Sequence, residues 1–276
     1  MIQFASCIFL TVQVFAFVEA IPLMGDRVVV AEPDEFPFVV SFRQKFLFYA
    51  FEHFCAGTLI TQYHVISAAH CFEGKNISEI NVAVAGQNWR KNDLCYRIDS
   101  WLTYNSWAQN NGKPMSYPVN DVIIIKLLSK INKGTMIPIS LSHLDDQQLY
   151  RTKALIVGWN VTSTLPASSI LLKGEVTVLS PEQREHLFKL VTNEKITINK
   201  NYLATFAESY ILVNCGDDGG PLLDKNNHLI GITRGKCPNI AWGNFSEKFL
   251  NNYKFNVHLS VNYYREFIEN VTRLTD

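Results

Sequence analysis

Short β-rich runs, each bounded by turn residues, constrain the fold of this chain more than any other feature. They are Val39 to Phe42, Thr58 to Thr61, Asn81 to Ala85, Val122 to Leu127, Ala154 to Trp159, Gly174 to Leu179, Tyr210 to Val213 and His228 to Thr233. Val, Ile, Leu and Thr fill them, while Gly, Asn, Pro or Ser stand at their ends, where they favour turns. No helix alternates with these runs, so the crossovers of a parallel sheet are lacking. An antiparallel, all-β architecture follows. At the carboxyl end Tyr264, Phe267, Ile268 and Val271 share one face of a helix. Pro181 to Leu190 is a second helical candidate, with Pro181 suited to a first turn.

The charge balance is 25 Lys+Arg against 25 Asp+Glu, which argues against a nucleic-acid or other polyanion partner. An apolar content of 47% can build a packed core and is too high for a disordered chain. None of Cys7, Cys55, Cys71, Cys95, Cys215 and Cys237 forms a C-x-x-C pair, so zinc fingers and dithiol redox motifs are excluded.

Phe4 to Val18 is almost wholly apolar and leads into Val18-Glu19-Ala20, small at both cleavage-defining positions. Residues 1–20 therefore read as a secretory signal peptide; the run is short for a bilayer span and lacks a basic flank, so no membrane anchor is expected. A secreted, extracellular protein is the result. Sequons at Asn76, Asn160, Asn244 and Asn270 agree with that route and mark candidate glycosylation sites. Removing the leader takes Cys7 away and leaves an odd set of cysteines in an oxidising compartment.

Chemistry gathers in separated motifs. Phe54-Cys55-Ala56-Gly57-Thr58-Leu59-Ile60 is followed by Ser67-Ala68-Ala69-His70-Cys71; Asn120-Asp121 opens the Val122 to Leu127 strand; Gly158-Trp159 precedes Asn214-Cys215-Gly216-Asp217-Asp218-Gly219-Gly220-Pro221. In these residues and in their order His, Asp, Gly-rich turn, the chain resembles the trypsin/chymotrypsin family of serine proteases. The likeness runs from about Pro37 to the terminal helix.

The resemblance implies two antiparallel six-stranded β-barrels with a cleft between them and a C-terminal α-helix. Residues 21–276 would be one trypsin-like domain, with the N-terminal barrel at about 28–130 and the C-terminal barrel and helix at about 131–276. It also implies disulfides Cys55–Cys71 and Cys215–Cys237, leaving Cys95 over. Flanked by Leu94 and Tyr96, Cys95 is expected to be a buried thiol, with a Cys95-linked dimer as the alternative to a monomer.

The family's triad would fall on His70, Asp121 and Asp218, the oxyanion hole on the backbone N–H groups of Gly216 and Asp218, and the activation-pairing acid on Asp217. Departures are concentrated there. The nucleophilic serine position carries Asp218, and a carboxylate has no proton to surrender and repels an oxyanion. No Ile-Val-Gly-Gly start exists; Arg27-Val28-Val29 lies about three residues too close to Phe36-Pro37, roughly 10 Å of reach. The family's Ser-Trp-Gly substrate strand is Thr233-Arg234-Gly235, a pocket-wall glycine corresponds to Asn256, and Leu212 or Val213 lies near the pocket base.

These features imply a secreted, catalytically inactive serine protease homologue acting as a binding or regulatory protein. Its partners would be extracellular proteins such as proteases or cascade components, and it needs no cofactor. Two alternatives stand: a hydrolase using His70 and a water oriented by Asp218, and a metal or small-ligand site at His70, Asp121 and Asp218. In the noncatalytic reading His70 is expected between the two carboxylates of Asp121 and Asp218, with a raised pKa.

Overall fold

The computed structural model describes residues 28–45, 51–84, 88, 94–113, 115, 120–132, 134, 136–159, 169–192, 199–207, 211–214, 216–237 and 255–273. Statements on structure concern these residues.

Strands β2 (Val39–Lys45), β3 (Phe51–Leu59), β4 (His64–Ala68), β5 (Ile80–Val84), β6 (Cys95–Thr103) and β7 (Val122–Leu127) close an antiparallel barrel in the order β2-β3-β4-β7-β6-β5. β4 is buried at every position and β7 at all but Lys126, which makes this pair the floor of the first barrel. The nearly unbroken apolar run of β7 suits that burial, while the polar His64 and Ser67 of β4 are buried with hydrogen-bond partners, Thr61 Oγ1 and the Ala56 carbonyl.

Strands β8 (Lys153–Gly158), β9 (Leu172–Val178), β10 (Tyr202–Phe206), β11 (Pro221–Leu223), β12 (Leu229–Cys237) and β13 (Phe255–Ser260) pair as β9-β10-β13-β12-β11-β8, and a β8–β9 pairing closes the ring. The two six-stranded barrels implied by the resemblance are thus present. A short strand β1 (Val28–Val30) pairs with β9 through Val28↔Gly174 and Val30↔Leu172. It adds to the second barrel, although the sequence boundary at about 28 assigns it to the first.

Four helices complete the described chain: α1 (Tyr104–Asn110), α2 (Asp146–Leu149), α3 (Pro181–Thr192) and α4 (Val261–Arg273). Thr103 caps α1 by accepting from the Ser106 N–H, and Asp145 with Gln148 forms a capping box on α2. Helix α4 buries Tyr264, Phe267 and Ile268, as its spacing requires. Tyr264 meets Tyr104 at 5.0 Å between ring centroids, and Phe267 meets Trp107 at 5.5 Å. The helix that follows the second barrel therefore straps the first, each aromatic pair adding about 0.5–1.5 kcal/mol beyond its buried area.

Some expectations are corrected. The run ending at Val213 is no strand over residues 211–213; the strand is β10, upstream. There the Asn256 amide takes up the backbone of the 211–213 segment, as described below. β3 ends at Leu59 rather than Thr61, because the Thr61 side chain accepts from the N–H groups of Tyr63 and His64 and turns the chain. Cys95 is exposed on β6, not buried, because the neighbouring Tyr96 takes the inward face of the strand.

Candidate functional site

Strand pairing brings His70 and Asp121 together. Ala68 at the end of β4 lies opposite Val122 at the start of β7, so the residues just outside the ladder must meet. The chain there turns into a 3-10 segment, Ala69–Phe72. Ala69 N–H donates to the Asp121 carbonyl at 2.9 Å, and His70 N–H donates to Asp121 Oδ1 at 2.7 Å. The Cys55–Cys71 disulfide, with Cα atoms 6.3 Å apart, ties this turn to β3.

Asp218 reaches the same point from the second barrel. Its turn is held by Asp217 N–H to Asn214 O, Gly220 N–H to Asp217 O and Gly219 N–H to Thr233 O. Gly219 has φ 85°, and a Cβ there would overlap Ser67 Oγ and the Ala56 carbonyl of the first barrel. Only glycine lets the two barrels press together at this spot. Ala56 N–H donates to the Asp218 carbonyl at 2.9 Å across the same seam.

His70 thus stands between two acids, Nδ1 at 2.7 Å from Asp121 Oδ2 and Nε2 at 3.4 Å from Asp218 Oδ2. Burial is the largest influence on its pKa and pushes it down. The hydrogen bonds and charges of Asp121 and Asp218 together win, raising it from 6.5 to about 9. The imidazole is therefore an imidazolium at neutral pH, as the sequence implied.

A fourth charge completes the cluster. Arg234 Nε lies 2.5 Å from Asp121 Oδ2, with Arg234 35% and Asp121 5% exposed. Sequence reading places Arg234 on a pocket strand and misses this pair, since nothing in spacing links a β12 cation to an acid ahead of β7. The resulting order is Arg234, Asp121, His70, Asp218, with the outer members from the second barrel and the inner ones from the first.

His53 is a further link that sequence reading misses. Its Nδ1 is 2.8 Å from Ser41 Oγ and its Nε2 2.9 Å from the Gly216 carbonyl. Burial, opposed by the Gly216 bond and aided by the Arg43 charge, lowers its pKa from 6.5 to about 4. A neutral imidazole there bridges the first barrel to the Gly-rich turn.

The remaining candidate positions are mostly buried. Asp217 is 2% exposed, and its Oδ2 accepts from Asn214 N–H at 3.1 Å. A Cβ on Gly158 would overlap the Asp217 carboxylate, so that glycine gives the acid its seat. Asn256 is fully buried; its Oδ1 accepts from Val213 N–H and its Nδ2 donates to the Ile211 carbonyl, both at 2.8 Å. It braces the backbone rather than walling a pocket, and Val213 beside it is also buried. Of the three pocket candidates only Arg234 reaches solvent. Cys215, and with it the Cys215–Cys237 bridge, lies outside the described residues, as do Asn160, Asn244, the leader and Arg27. Asn76 is exposed, and Asn270 is half-buried on α4.

The geometry speaks against the metal reading. Among the described residues no set of three His, Cys, Asp or Glu side chains is arranged to hold an ion. Both imidazole nitrogens face carboxylates, and Arg234 already occupies the Asp121 oxygen that a metal would need. No helix among the described residues is long and apolar enough to cross a membrane.

Comparison with known proteins agrees with this architecture. The chain is 28% identical over 215 residues to mouse neutrophil elastase, covering 75% of this chain and 71% of that protein. It is 26% identical over 200 residues to a trypsin of Sarcophaga bullata, covering 70% of each. Among solved structures it matches neuropsin, a serine protease expressed in the limbic system of mouse brain, with TM-score 0.68 and 20% identity over 89% of this chain and 98% of that one. The family model described as Trypsin matches residues 27–262, and the chain belongs to that family.

Proposed function

We propose that this chain is a secreted, noncatalytic member of the trypsin family that acts by binding other extracellular proteins. The observation that carries the reading is the ion pair between His70 Nε2 and Asp218 Oδ2 at 3.4 Å. In the reading, Asp218 takes the place of the family's nucleophilic serine. A general base must be unprotonated to accept the nucleophile's proton, and His70, with a pKa of about 9, already carries that proton at neutral pH. Facing it is an acid with no proton to give. The Asp218 charge would also oppose the oxyanion that the Gly216 and Asp218 N–H groups stabilise in an active enzyme. Each loss alone removes most of a triad's contribution, because triad members act as a unit.

The geometry also disfavours activation by cleavage after Arg27. A new Val28 terminus would begin inside β1, paired with Gly174 of β9. To approach the buried Asp217 it would have to unzip that strand. Secretion is supported by the leader and by the Cys55–Cys71 disulfide, a bond that persists in oxidising compartments.

A serine-directed phosphonate probe tests this reading. The intact protein stays unlabelled, and Asp218→Ser alone gains little turnover because Arg234 and the activation terminus are unchanged. Labelling of the parent above a His70→Ala control, or family-like turnover in Asp218→Ser, would overturn the reading.

A further inference from the structure

Two sequons, at Asn76 and Asn270, lie among the described residues, and the fold sets them apart. Asn76 is exposed, in the segment that leads away from His70. Its backbone is extended, with φ −93° and ψ 126°, and it caps the short 3-10 segment Ile77–Glu79. Asn76 Oδ1 accepts from the Ser78 N–H at 3.1 Å and from the Ser78 hydroxyl at 3.0 Å. The cap thus runs through the carbonyl oxygen alone. Among the described residues Asn76 Nδ2 has no hydrogen-bond partner, and Nδ2 is the atom that an N-linked sugar takes. The turn also stands clear of the rest of the molecule, since a Cβ on Gly74, at φ 68°, would meet nothing within 4 Å. A glycan on Nδ2 leaves both bonds of the oxygen in place, so the modified chain keeps the same turn.

Asn270 differs in each respect. It is half-buried inside α4. The hydroxyl of its sequon, Thr272 Oγ1, donates to the Ile268 carbonyl at 2.8 Å and so serves the helix rather than the asparagine. Val271, between them, packs against the core. A bulky group on Asn270 would crowd a helix turn that is seated on the first barrel.

Asn76 also stands near the cleft. It follows His70 by six residues, about 20 Å at full extension. Two turns shorten that path, Glu73 N–H to the His70 carbonyl at 3.3 Å and Lys75 N–H to the Phe72 carbonyl at 3.2 Å. Lys75 Nζ lies 4.4 Å from the centre of the Phe54 ring and donates to Gln44 Oε1 at 2.6 Å, which lays the segment against β2 and β3. Phe54 adjoins Cys55, whose disulfide partner Cys71 has its Sγ 3.9 Å from His70 Nε2.

We propose that Asn76 carries an N-linked glycan standing on the first-barrel rim of the cleft, and that Asn270 stays bare. In its formation Asn76 Nδ2 bonds to the anomeric carbon of an oligosaccharide activated as a lipid diphosphate. The bond from that carbon to the diphosphate oxygen breaks, the lipid diphosphate leaves with the electron pair, and one amide proton passes to base. A partner that approaches the cleft from the Phe54 side then meets carbohydrate first. This rests on the secreted, noncatalytic reading above and adds the covalent modification of the same cleft.

The test expresses the full chain, leader included, in secreting animal cells. The protein is treated with an amidase that releases N-glycans and leaves aspartate, in water enriched in heavy oxygen. Peptide mass spectrometry reads each sequon, and N-terminal sequencing reads removal of the leader. The expected result is heavy aspartate at Asn76 in most chains and unchanged asparagine at Asn270. Ser78→Ala loses the Asn76 glycan and Ser78→Thr keeps it. Asn76→Asp loses the glycan but retains a capping oxygen, whereas Asn76→Gln loses both and melts at a lower temperature. Secreted protein, freed of its leader, with a bare Asn76, or with a glycan on Asn270, would overturn the inference. Equal melting of Asn76→Asp and Asn76→Gln would overturn the capped geometry on which it stands. Retention inside the cell with the leader uncut would instead overturn the secreted reading.

Discussion

Arg234 of the second barrel and Asp121 of the first are joined by a 2.5 Å ion pair across the seam between the barrels. Asp121 is nearly buried and also receives the Nδ1 and backbone N–H of His70. It is therefore the hub of the cluster, with Oδ2 shared by two cations and Oδ1 accepting from the His70 backbone.

Removing the hub should cost more than removing either neighbour on the His70 side. We expect Asp121→Asn to destabilise the fold by about 2 kcal/mol, between an exposed and a fully buried ion pair. His70→Ala should cost less, because Arg234 still neutralises Asp121, and Asp218→Ser least, since its contact with His70 is the longest of the set. Chemical denaturation of the three variants checks the order; an Asp218→Ser variant less stable than His70→Ala would contradict it.

Stability should pass through a maximum near neutral pH. His70 has its folded pKa raised from 6.5 to about 9, so its contribution is complete below 6.5 and is lost as pH climbs through 9. His53 and His258 behave oppositely, with burial lowering them from 6.5 to about 4 and about 3. Below 6.5 the unfolded chain takes up protons that these buried rings refuse, so acid destabilises. Melting temperature measured from pH 4 to 10 should fall on both sides of the range near 6.5, and His70→Ala should flatten the alkaline limb alone. A parent profile still rising above pH 9 would contradict the assignment.

Much of the fold and part of the site are legible in the sequence. The β7 run, the Ala69-His70-Cys71 turn and Asp121 at a strand mouth are local patterns that mark the residues to be brought together; the strand that does so, β4 (His64–Ala68), is not among the runs read from the sequence, since His64 and Ser67 break its apolar pattern. The α4 face is equally plain from Tyr264, Phe267 and Ile268. Arg234 is not, because its partner lies more than a hundred residues away and in the other barrel. His53 escapes for the same reason, its partner being the carbonyl of the distant Gly216, and a backbone acceptor leaves no mark in side-chain spacing. Cys95 misleads because apolar neighbours on a strand do not fix which face a residue takes; alternation puts Tyr96 inward and the thiol outward.

The seam at Gly219 offers a steric test. Gly219→Ala places a methyl against Ser67 Oγ and the Ala56 carbonyl at φ 85°, and should cost about 3 kcal/mol or more from overpacking and backbone strain together. Gly74→Ala, at φ 68° with open space around it, should cost about 1 kcal/mol from strain alone. Equal melting shifts for the two would show that the barrels do not press together at Gly219.

Exposure of Cys95 predicts its reactivity. The native protein should take up a maleimide without denaturant, and Cys95→Ser should lose that labelling. A reduction-sensitive dimer absent from Cys95→Ser would show that the same exposed sulfur is used between chains. A thiol that reacts only after unfolding would contradict the exposure.

The central claim is that this trypsin-family cleft binds without cleaving. The direct measurement is incubation of the purified protein with a diverse peptide library, read by mass spectrometry for new termini against a His70→Ala control. The account predicts the same peptides in both samples. Cleavage products present with the parent and absent with His70→Ala would contradict it.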